Sequence, residues 1–404
     1  MPRFRRPRTS PMFWLLSGQL IMFAGVAAIF PIAPLYVRRH GGDSLAIALF
    51  IAGPLIANML VQVPAGRLTD RVGRRPMLLG SRAGFGVLSF ALFADVGPLW
   101  LLAILRTLQG VASGAYVPAL RAAVVDLSGP EKRAEGFAKL QACEMVGLLV
   151  GPFVGGAVAL WRDSAIFGVS GVAVLFGLLA MRRVPETRVV RETDEQAVRV
   201  RWWRNPGILV PCLGVAALGT VFSMYDVVWP LYLAARGNST LVIGLTISLF
   251  AVPLLVLAQP GGRLADRSNR RWLMVASFAI SGGCAAIYPT LFSLGWIIAL
   301  GVVEACAYVL VEPTMFAVIG DSSSAQERGR AMGIGGLFQF GGMAFGALVL
   351  GALYGVGEGI SFWGAAGVLI AAAVLCAFAL PPRAPSPSPS GAVSERVAMN
   401  PLES

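Results

Sequence analysis

Residues 66–75 read GRLTDRVGRR and residues 262–271 read GRLADRSNRR, so one charged block occurs twice in the chain. The similarity extends outward from both copies. Residues 34–71 and 230–267 align without a gap, and 14 of the 38 aligned positions are identical. Composition bias produces scattered glycine or leucine matches, but it does not produce this charged block twice at one spacing. We therefore predict that the chain is a repeat of two similar halves.

The composition indicates that most of the chain needs an apolar environment. The 404 residues are 56% hydrophobic and only 13% charged, with a mean hydropathy of +0.72, whereas soluble domains are roughly 25% charged. A membrane-spanning helix needs about 20 mostly apolar residues. The runs that meet this requirement, numbered as spans 1 to 12, cover residues 12–37, 44–66, 76–95, 98–120, 136–160, 164–181, 207–233, 240–262, 272–292, 294–318, 329–355 and 359–380. We predict an all-α membrane protein with 12 transmembrane helices in two pseudo-symmetric six-helix bundles.

The composition also predicts where the bundles begin and end. Residues 1–11 form a basic N-terminus, residues 12–181 the first bundle and residues 207–380 the second bundle. Residues 182–206 carry too many charges to cross lipid, so they are predicted to be a linker. The tail, residues 381–404, is rich in proline and serine and is predicted to be disordered.

The net charge of +12 is distributed unequally between the two sides of the predicted bundles. Of the 33 lysine and arginine residues, one set of alternate loops holds only Arg38, Arg39, Arg162 and Arg236. This asymmetry follows the positive-inside rule and predicts that both termini and the linker are cytoplasmic. The expected location is the plasma membrane, the inner membrane in a bacterium, and no nucleic-acid partner is expected.

Residues that catalysis or metal binding requires are scarce. The single histidine, His40, is predicted to be a solvated loop residue with no second ligand nearby. The five cysteines lie in apolar runs without a C-x-x-C pair, and the sequence contains no Walker motif. We therefore predict no enzyme activity, no metal site and no cofactor.

The duplicated block resembles a known family signature. The first copy, with the order G-x-L-x-D-R-x-G-R-R, is similar to the loop 2–3 signature of the major facilitator superfamily through Gly66, Leu68, Asp70, Arg71, Gly73, Arg74 and Arg75. The second copy repeats the pattern with Gly262, Leu264, Asp266, Arg267, Arg270 and Arg271, and Asn269 replaces the second glycine. Asparagine tolerates a left-handed backbone, so we expect the same kind of turn in both copies.

The resemblance implies a role for the signature as a conformational latch. The family's aspartate acts on the positive N-terminal end of a helix in the opposite half, which here means Asp70 and span 11 near Gly329. The alternative interpretation is that the arginines serve mainly to fix the topology of the chain. The two roles are compatible.

Span 5 contains a second signature, GLLVGPFVGG. It resembles the G-x-x-x-G-P-x-x-G-G pattern of proton-driven drug antiporters within the superfamily, through Gly147, Gly151, Pro152, Gly155 and Gly156. Glycines spaced by four allow a neighbouring helix to approach closely, and Pro152 cannot donate to Leu148, so the helix should soften there. The alternative is a general packing face.

Charged residues inside the spans are candidates for proton coupling. Arg106 in LLAILRTLQG resembles the fourth-span signature of the superfamily, where this arginine is associated with proton coupling. A proton carrier also needs an acid, and the candidates are Asp226, Glu144, Glu304 and Glu312. Each of these acids has a fixed structural role as its alternative.

We expect spans 1, 4, 7 and 10, with contributions from spans 2, 5, 8 and 11, to surround a central pathway, and polar side chains in these spans are few. They are Gln19, Asn58, Gln62, Gln109, Tyr225, Trp229, Tyr308 and Gln339. A sugar needs many hydrogen-bond partners, so a mostly apolar wall better suits an amphipathic organic molecule. We predict a monomeric secondary transporter that exports such compounds or drugs in exchange for protons, driven by the proton gradient. The alternatives are a solute importer or facilitator of the same fold, a lipid translocator, and a membrane receptor.

Overall fold

The computed structural model describes residues 10–129, 132–187, 202–324 and 327–380, and the regular elements in these ranges are all helices. Nine of the described helices are long and apolar enough to cross a membrane. Pro11–Ala27 and Ala165–Met181 are shorter apolar helices, and Leu99–Ser128 is a further long helix. Together they form the predicted twelve spans. The predicted disordered tail and most of the linker lie outside the described residues.

The observed helices have the following bounds. In the first half they are Pro11–Ala27 with Ala33–Arg39 (span 1), Ser44–Val72 (span 2), Arg74–Ala94 (span 3), Leu99–Ser128 (span 4), Arg133–Val158 (span 5) and Ala165–Met181 (span 6). In the second half they are Pro206–Ala235 (span 7), Thr240–Arg267 (span 8), Arg270–Ile287 (span 9), Leu294–Asp321 (span 10), Arg328–Phe345 with Gly351–Leu353 (span 11) and Glu358–Ala379 (span 12). A π-helical turn, Gly346–Leu350, joins the two parts of span 11.

The repeat seen in the sequence is also present in the local structure. Asp43 accepts a hydrogen bond from the Ala46 amide at the start of span 2, and its repeat partner Ser239 caps span 8 in the same way. Gly41 and Gly237 occupy matching turns with φ of +78° and +77°. A left-handed backbone favours glycine because glycine has no Cβ. These matched caps and turns start equivalent helices in each half.

Helix packing follows the same repeat. In the first half span 1 packs against spans 5 and 6, span 2 against span 4, and span 3 against spans 4 and 6. The second half shows the corresponding pairs six spans later. The two halves meet where span 5 packs against span 8 and span 2 against span 11. The fold is thus two pseudo-symmetric six-helix bundles, as predicted.

Several observed helices differ from the predicted spans, and spans 4 and 8 run past their predicted ends to Ser128 and Arg267. Span 1 is broken at residues 28–32 rather than continuous, because Pro31 and Pro34 lack the amide hydrogen that a continuous helix needs. Span 2 continues to Val72 and only Gly73 separates it from span 3, so the signature block ends span 2 and begins span 3. We call the end of the molecule that contains Gly73 the basic face, and the other end the opposite face.

Candidate substrate and proton site

Gly73 makes the turn at the basic face between spans 2 and 3. Its φ of +112° is a backbone conformation that favours glycine. Glu186, which follows span 6, accepts hydrogen bonds from the Arg74 and Arg75 amides at 2.9 and 3.0 Å. A carboxylate at this position satisfies amides that a helix N-terminus leaves unpaired. The signature turn is therefore fixed to its own half.

The signature side chains pair within the first half. Arg74 lies 3.1 Å from Asp70 and 3.2 Å from Asp126 of span 4. Gly66 lies inside span 2, and a Cβ there would approach Pro118 at 3.9 Å. Asp70 itself is largely exposed. The proposed contact of Asp70 with the start of span 11 stays a prediction, because the side-chain surroundings of Gly329 lie outside the described part of the chain.

The second copy of the signature reproduces one of these ion pairs. Arg270 and Asp321, which the repeat aligns with Arg74 and Asp126, lie 2.5 Å apart. The expectation of a left-handed turn at Asn269 is wrong: its φ is −69°, and its side chain instead accepts a hydrogen bond from the Arg271 amide and caps span 9. The surroundings of Gly262 and the side chains of Asp266 and Arg267 lie outside the described part of the chain.

The span 5 glycines pack against span 1. A Cβ built on Gly147, Gly151 or Gly155 would lie 2.9 Å or less from atoms of residues 23 to 28 in span 1. The corresponding Gly342 and Gly346 of span 11 make equally close contacts with span 7. Gly147, Gly151 and Gly155 thus face one neighbouring helix of the same half.

Gly156 faces the other half of the molecule. The Thr240 hydroxyl of span 8 donates to the Gly156 carbonyl at 2.9 Å, and a Cβ on Gly244 would lie 2.2 Å from the Pro152 carbonyl oxygen. One residue after Pro152, the Phe153 amide donates to the Ser248 hydroxyl at 3.0 Å. These contacts join spans 5 and 8 near the opposite face.

A cavity with an empty volume of about 990 Å³, including its open mouth, lies beside span 7. Spans 7 to 10 and 12 form most of its wall, and Phe30 and Leu148 are the contributions of the first half. The groups on the wall that can form hydrogen bonds are Tyr225, Asp226, Trp229, Thr246, Ser281, Tyr288, Glu304 and Tyr308. The predicted candidates Tyr225, Trp229 and Tyr308 are therefore part of this cavity.

Asp226 and Arg106 belong to different halves and interact electrostatically. Asp226 lies on the cavity wall, and its charge interacts with that of Arg106 in span 4. Arg106 donates to the Gln109 side chain at 2.8 Å, and Gln109 in turn donates to Ser89 at 2.8 Å. The arginine is thus held by its own half while its charge acts across the interface.

Glu304 is held by two tyrosines. Tyr225 donates to one carboxylate oxygen at 2.9 Å and Tyr288 to the other at 2.8 Å. Trp229 packs edge-on against both rings and donates to Thr246 at 3.0 Å. The buried acid therefore lies under an aromatic wall.

The remaining predicted residues lie away from this cavity. Gln19 donates to Glu144 at 2.9 Å inside the first half, and Gln339 donates to Glu312 at 2.8 Å inside the second. Asn58 and Gln62 form a hydrogen bond with each other along span 2. Gln109 is fully buried beside Arg106. The cavity is lined mainly by one half rather than equally by both.

Tyr288 is a functional candidate that sequence reasoning missed. It ends span 9, a helix that was not expected to reach the pathway. The residue spacing along span 9 does not show that a 3-10 turn at Tyr288–Thr290 follows the α-helix and places Tyr288 on the cavity wall. The only sequence feature that could have indicated Tyr288 is a single tyrosine in an apolar run.

His40 has partners on the opposite face. Its Nε2 atom lies 3.1 Å from Asp95, and its ring packs 4.3 Å from the ring of Tyr36. Asp95 also accepts a hydrogen bond from Tyr36, and its own backbone is left-handed with φ of +59°. The loop histidine thus belongs to a polar cluster that ends spans 1 and 3.

Comparison with known proteins assigns the family. The Major Facilitator Superfamily family model matches residues 15–218 and 211–401. The chain therefore belongs to this superfamily and is a multi-pass membrane transporter, not an enzyme. Transporters of this superfamily carry small molecules across membranes.

Individual relatives differ in what they are named for. The chain is 30% identical over 187 residues to the uncharacterized MFS-type transporter YhjO of Bacillus subtilis, a match that spans 45% of each chain. It is 25% identical over 330 residues to the staphyloferrin B transporter of Staphylococcus aureus, covering 76% of this chain and 77% of that one. It is 26% identical over 332 residues to the class G tetracycline resistance protein of Vibrio anguillarum, covering 76% and 81%.

Solved structures share the fold at lower identity. The crystal structure of a D-xylose–proton symporter aligns with a TM-score of 0.76 at 16% identity, over 92% of this chain and 97% of that one. At this identity the likeness establishes the fold alone.

Proposed function

We propose that this protein is a proton-coupled antiporter that exports amphipathic organic compounds by alternating access. The observation that carries the proposal is Asp226, an acid on the cavity wall whose charge acts on Arg106 of the other half. Intramembrane charges of this kind mark ion or substrate pathways. The naming of one relative for tetracycline resistance supports an organic compound as the substrate.

The chemistry of the wall supports an apolar substrate with a polar or cationic group. Aromatic rings surround the acids, including Phe222, Tyr225, Trp229 and Phe250. Aromatic faces attract cations as well as apolar groups. Glu304 already uses its two oxygens to accept from tyrosines. A sugar would leave many hydroxyl groups without partners here, and each unmade buried hydrogen bond is costly.

Exchange at Asp226 provides the coupling. The ionised carboxylate compensates Arg106, whereas the protonated carboxyl group leaves that buried charge uncompensated. A cationic group of a substrate and a proton both act on the same carboxylate, so they compete. Proton binding therefore changes the interaction between the halves and favours release of the substrate.

The contacts between spans 5 and 8 support a state closed at the opposite face. With the topology that the positive-inside rule predicts, the basic face is cytoplasmic and the closed end faces away from the cytoplasm. Rocking of the two halves would then expose the site to the other side. The proposal includes a monomer in the bacterial inner membrane with both termini cytoplasmic, driven by the proton gradient without a cofactor.

Transport in liposomes tests the proposal. Purified protein is reconstituted with an imposed pH gradient, and ethidium and tetracycline are added as a cationic and a drug probe. We expect probe addition to release protons and the gradient to drive probe accumulation. Asp226→Asn should abolish both effects. The matched control is Asp43→Asn, which makes the same chemical change at a helix cap that asparagine also satisfies.

Three outcomes would contradict the antiporter. Probe uptake in the direction of proton flow indicates an importer. Probe movement without any proton movement indicates a facilitator or a lipid translocator. Equal proton release by wild type and Asp226→Asn would show that Asp226 takes no part in proton coupling.

A further inference from the structure

A second buried polar chain lies inside the first half. The Tyr116 hydroxyl of span 4 donates to Gln19 Oε1 of span 1 at 2.7 Å, and Gln19 Nε2 donates to Glu144 Oε1 of span 5 at 2.9 Å. Arg82 of span 3 is only 5% exposed, and its Cζ atom lies 3.8 Å from the centre of the Tyr116 ring. None of these four residues lines the central cavity.

Arg82 is incompletely satisfied where it lies. Its buried Nε and Nη1 atoms have no hydrogen-bond partner among the described residues. The carboxylate whose charge acts on it is that of Glu144. None of the ion pairs among the described residues includes Arg82, which instead packs on the Tyr116 ring, and Tyr116 and Gln19 link it to Glu144. A linked pair is coupled more weakly than a contact pair, because the Coulomb energy falls with distance.

The surroundings of Glu144 are positively charged. Arg82 and Arg121 act on it from spans 3 and 4, and Gln19 donates to it from span 1. The titratable Cys143 precedes Glu144 in span 5, Ala251 of span 8 packs near Leu148, and the Met181 sulfur of span 6 lies beside Tyr116. Burial disfavours the ionised form of the carboxyl group, whereas both cations favour it.

Glu144 is more exposed than Arg82. Glu144 is only partly buried, Gln141 and Ala142 of the same helix are exposed, and Arg121 of span 4 is exposed as well. These residues lie in the half of the bundle that is nearer the basic face. The carboxylate is therefore the more accessible of the two charged groups, and the arginine is enclosed.

We propose that Glu144 is a second proton-binding carboxylate and that Arg82 is the residue that positions it, through Tyr116 and Gln19. This inference rests on the proposed proton coupling but concerns a site apart from Asp226. A proton from water at the basic face forms an O–H bond at Glu144 Oε2, because Oε1 accepts the Gln19 hydrogen. The neutral acid then leaves Arg82 without its counter-charge. Proton binding is thereby coupled to the packing of spans 1, 3, 4 and 5.

Infrared difference spectroscopy tests this without a substrate. The full-length protein in lipid is titrated, and the carbonyl-stretch band of protonated carboxylic acids is followed. We expect Glu144→Gln to remove one titrating band and leave the Asp226 band in place. Asp226→Asn should do the converse. The matched control is Glu312→Gln, because Glu312 is also an acid bonded to a glutamine, and this variant should leave the Glu144 band unchanged.

Arg82 is tested by the pH at which the Glu144 band appears. Arg82→Gln removes a charge that favours the carboxylate, so the band should persist to a pH higher by about one unit, and Arg82→Lys should restore it in part. If Arg82→Gln does not fold, Tyr116→Phe keeps the ring and removes the link to Gln19, and a smaller shift in the same direction is expected.

Two results would overturn the inference. One is an unchanged set of titrating bands in Glu144→Gln. The other is an unmoved Glu144 band in both Arg82→Gln and Tyr116→Phe. Loss of proton exchange in liposomes together with an intact Glu144 titration would count against the antiporter alone, so the two proposals fail separately.

Discussion

At the scale of single residues, the two arginines inside the first half are held by different kinds of partner. Arg106 is held by Gln109, whereas Arg82 lies against the Tyr116 ring and is linked through Gln19 to Glu144. Buried charges are tolerated when they are compensated and hydrogen-bonded. Both arginines belong to the first half, and the acid that faces Arg106 belongs to the second.

The pair of Arg106 and Asp226 makes a prediction about stability. Arg106→Gln or Asp226→Asn leaves a partly buried charge without its counter-charge, and each should lower the free energy of unfolding by about 1 to 3 kcal/mol. The double variant should lose less than the sum, because neither charge remains. Thermal unfolding in detergent measures this. Additive losses would mean that the two charges do not interact in the folded protein.

At the scale of helices, small residues determine how closely spans approach. Gly155 packs on the broken segment of span 1, where a Cβ would lie 2.0 Å from the Ala28 carbonyl oxygen. The oxygen belongs to the backbone, so it cannot move aside as a flexible side chain would. This contact fixes span 5 against the point where span 1 is interrupted.

Gly155→Ala is therefore expected to destabilise the protein by about 1 to 3 kcal/mol and to reduce transport, since overpacking forces the helices apart. The matched control is Gly341→Ala in span 11, where a Cβ would meet nothing within 4 Å. That change should be neutral or slightly stabilising, as alanine favours helices. Unfolding temperature and probe transport are measured for both variants. Equal unfolding temperatures and equal transport by the two variants would show that the close contact at Gly155 contributes little to stability or transport.

Helix existence and repeat symmetry were predictable because both depend on local pattern. Runs of apolar residues and the duplicated charged block are visible in the chain itself. The break in span 1 was also visible, in Pro31 and Pro34, but the length of the apolar run obscured it. Glu186 as the cap of span 3 was not predictable, because it lies more than 100 residues away from Arg74. Acids such as Asp226 could be identified because a charge in an apolar run is conspicuous. Whether Tyr288 reaches the cavity depends on how the helices are rotated, which the sequence does not show.

At the scale of the whole molecule, the halves are joined at the opposite face. Besides the contacts between spans 5 and 8, a Cβ built on Gly355 at the end of span 11 would lie 2.9 Å from the Ser44 Cβ at the start of span 2. These two positions belong to different halves. Alternating access requires them to separate.

A disulfide across this contact should therefore stop transport. In a background without the five native cysteines, Ser44→Cys with Gly355→Cys is oxidised and reconstituted, and we expect probe exchange to fall to the level of empty liposomes. A reductant should restore it. Each single cysteine variant is the control. Continued exchange by the fully crosslinked protein would rule out separation of the halves at this end.

The two halves contribute unequally to the cavity wall, and this inequality determines which substitutions change the cavity. Phe30 and Leu148 come from the first half, while the acids and most of the rings on the wall belong to the second. Substitutions of wall residues in spans 8 to 10 would change the chemistry of the cavity and leave the signature turn at Gly73 intact. The two bundles share one fold, yet the second carries nearly all the groups that a bound compound would meet.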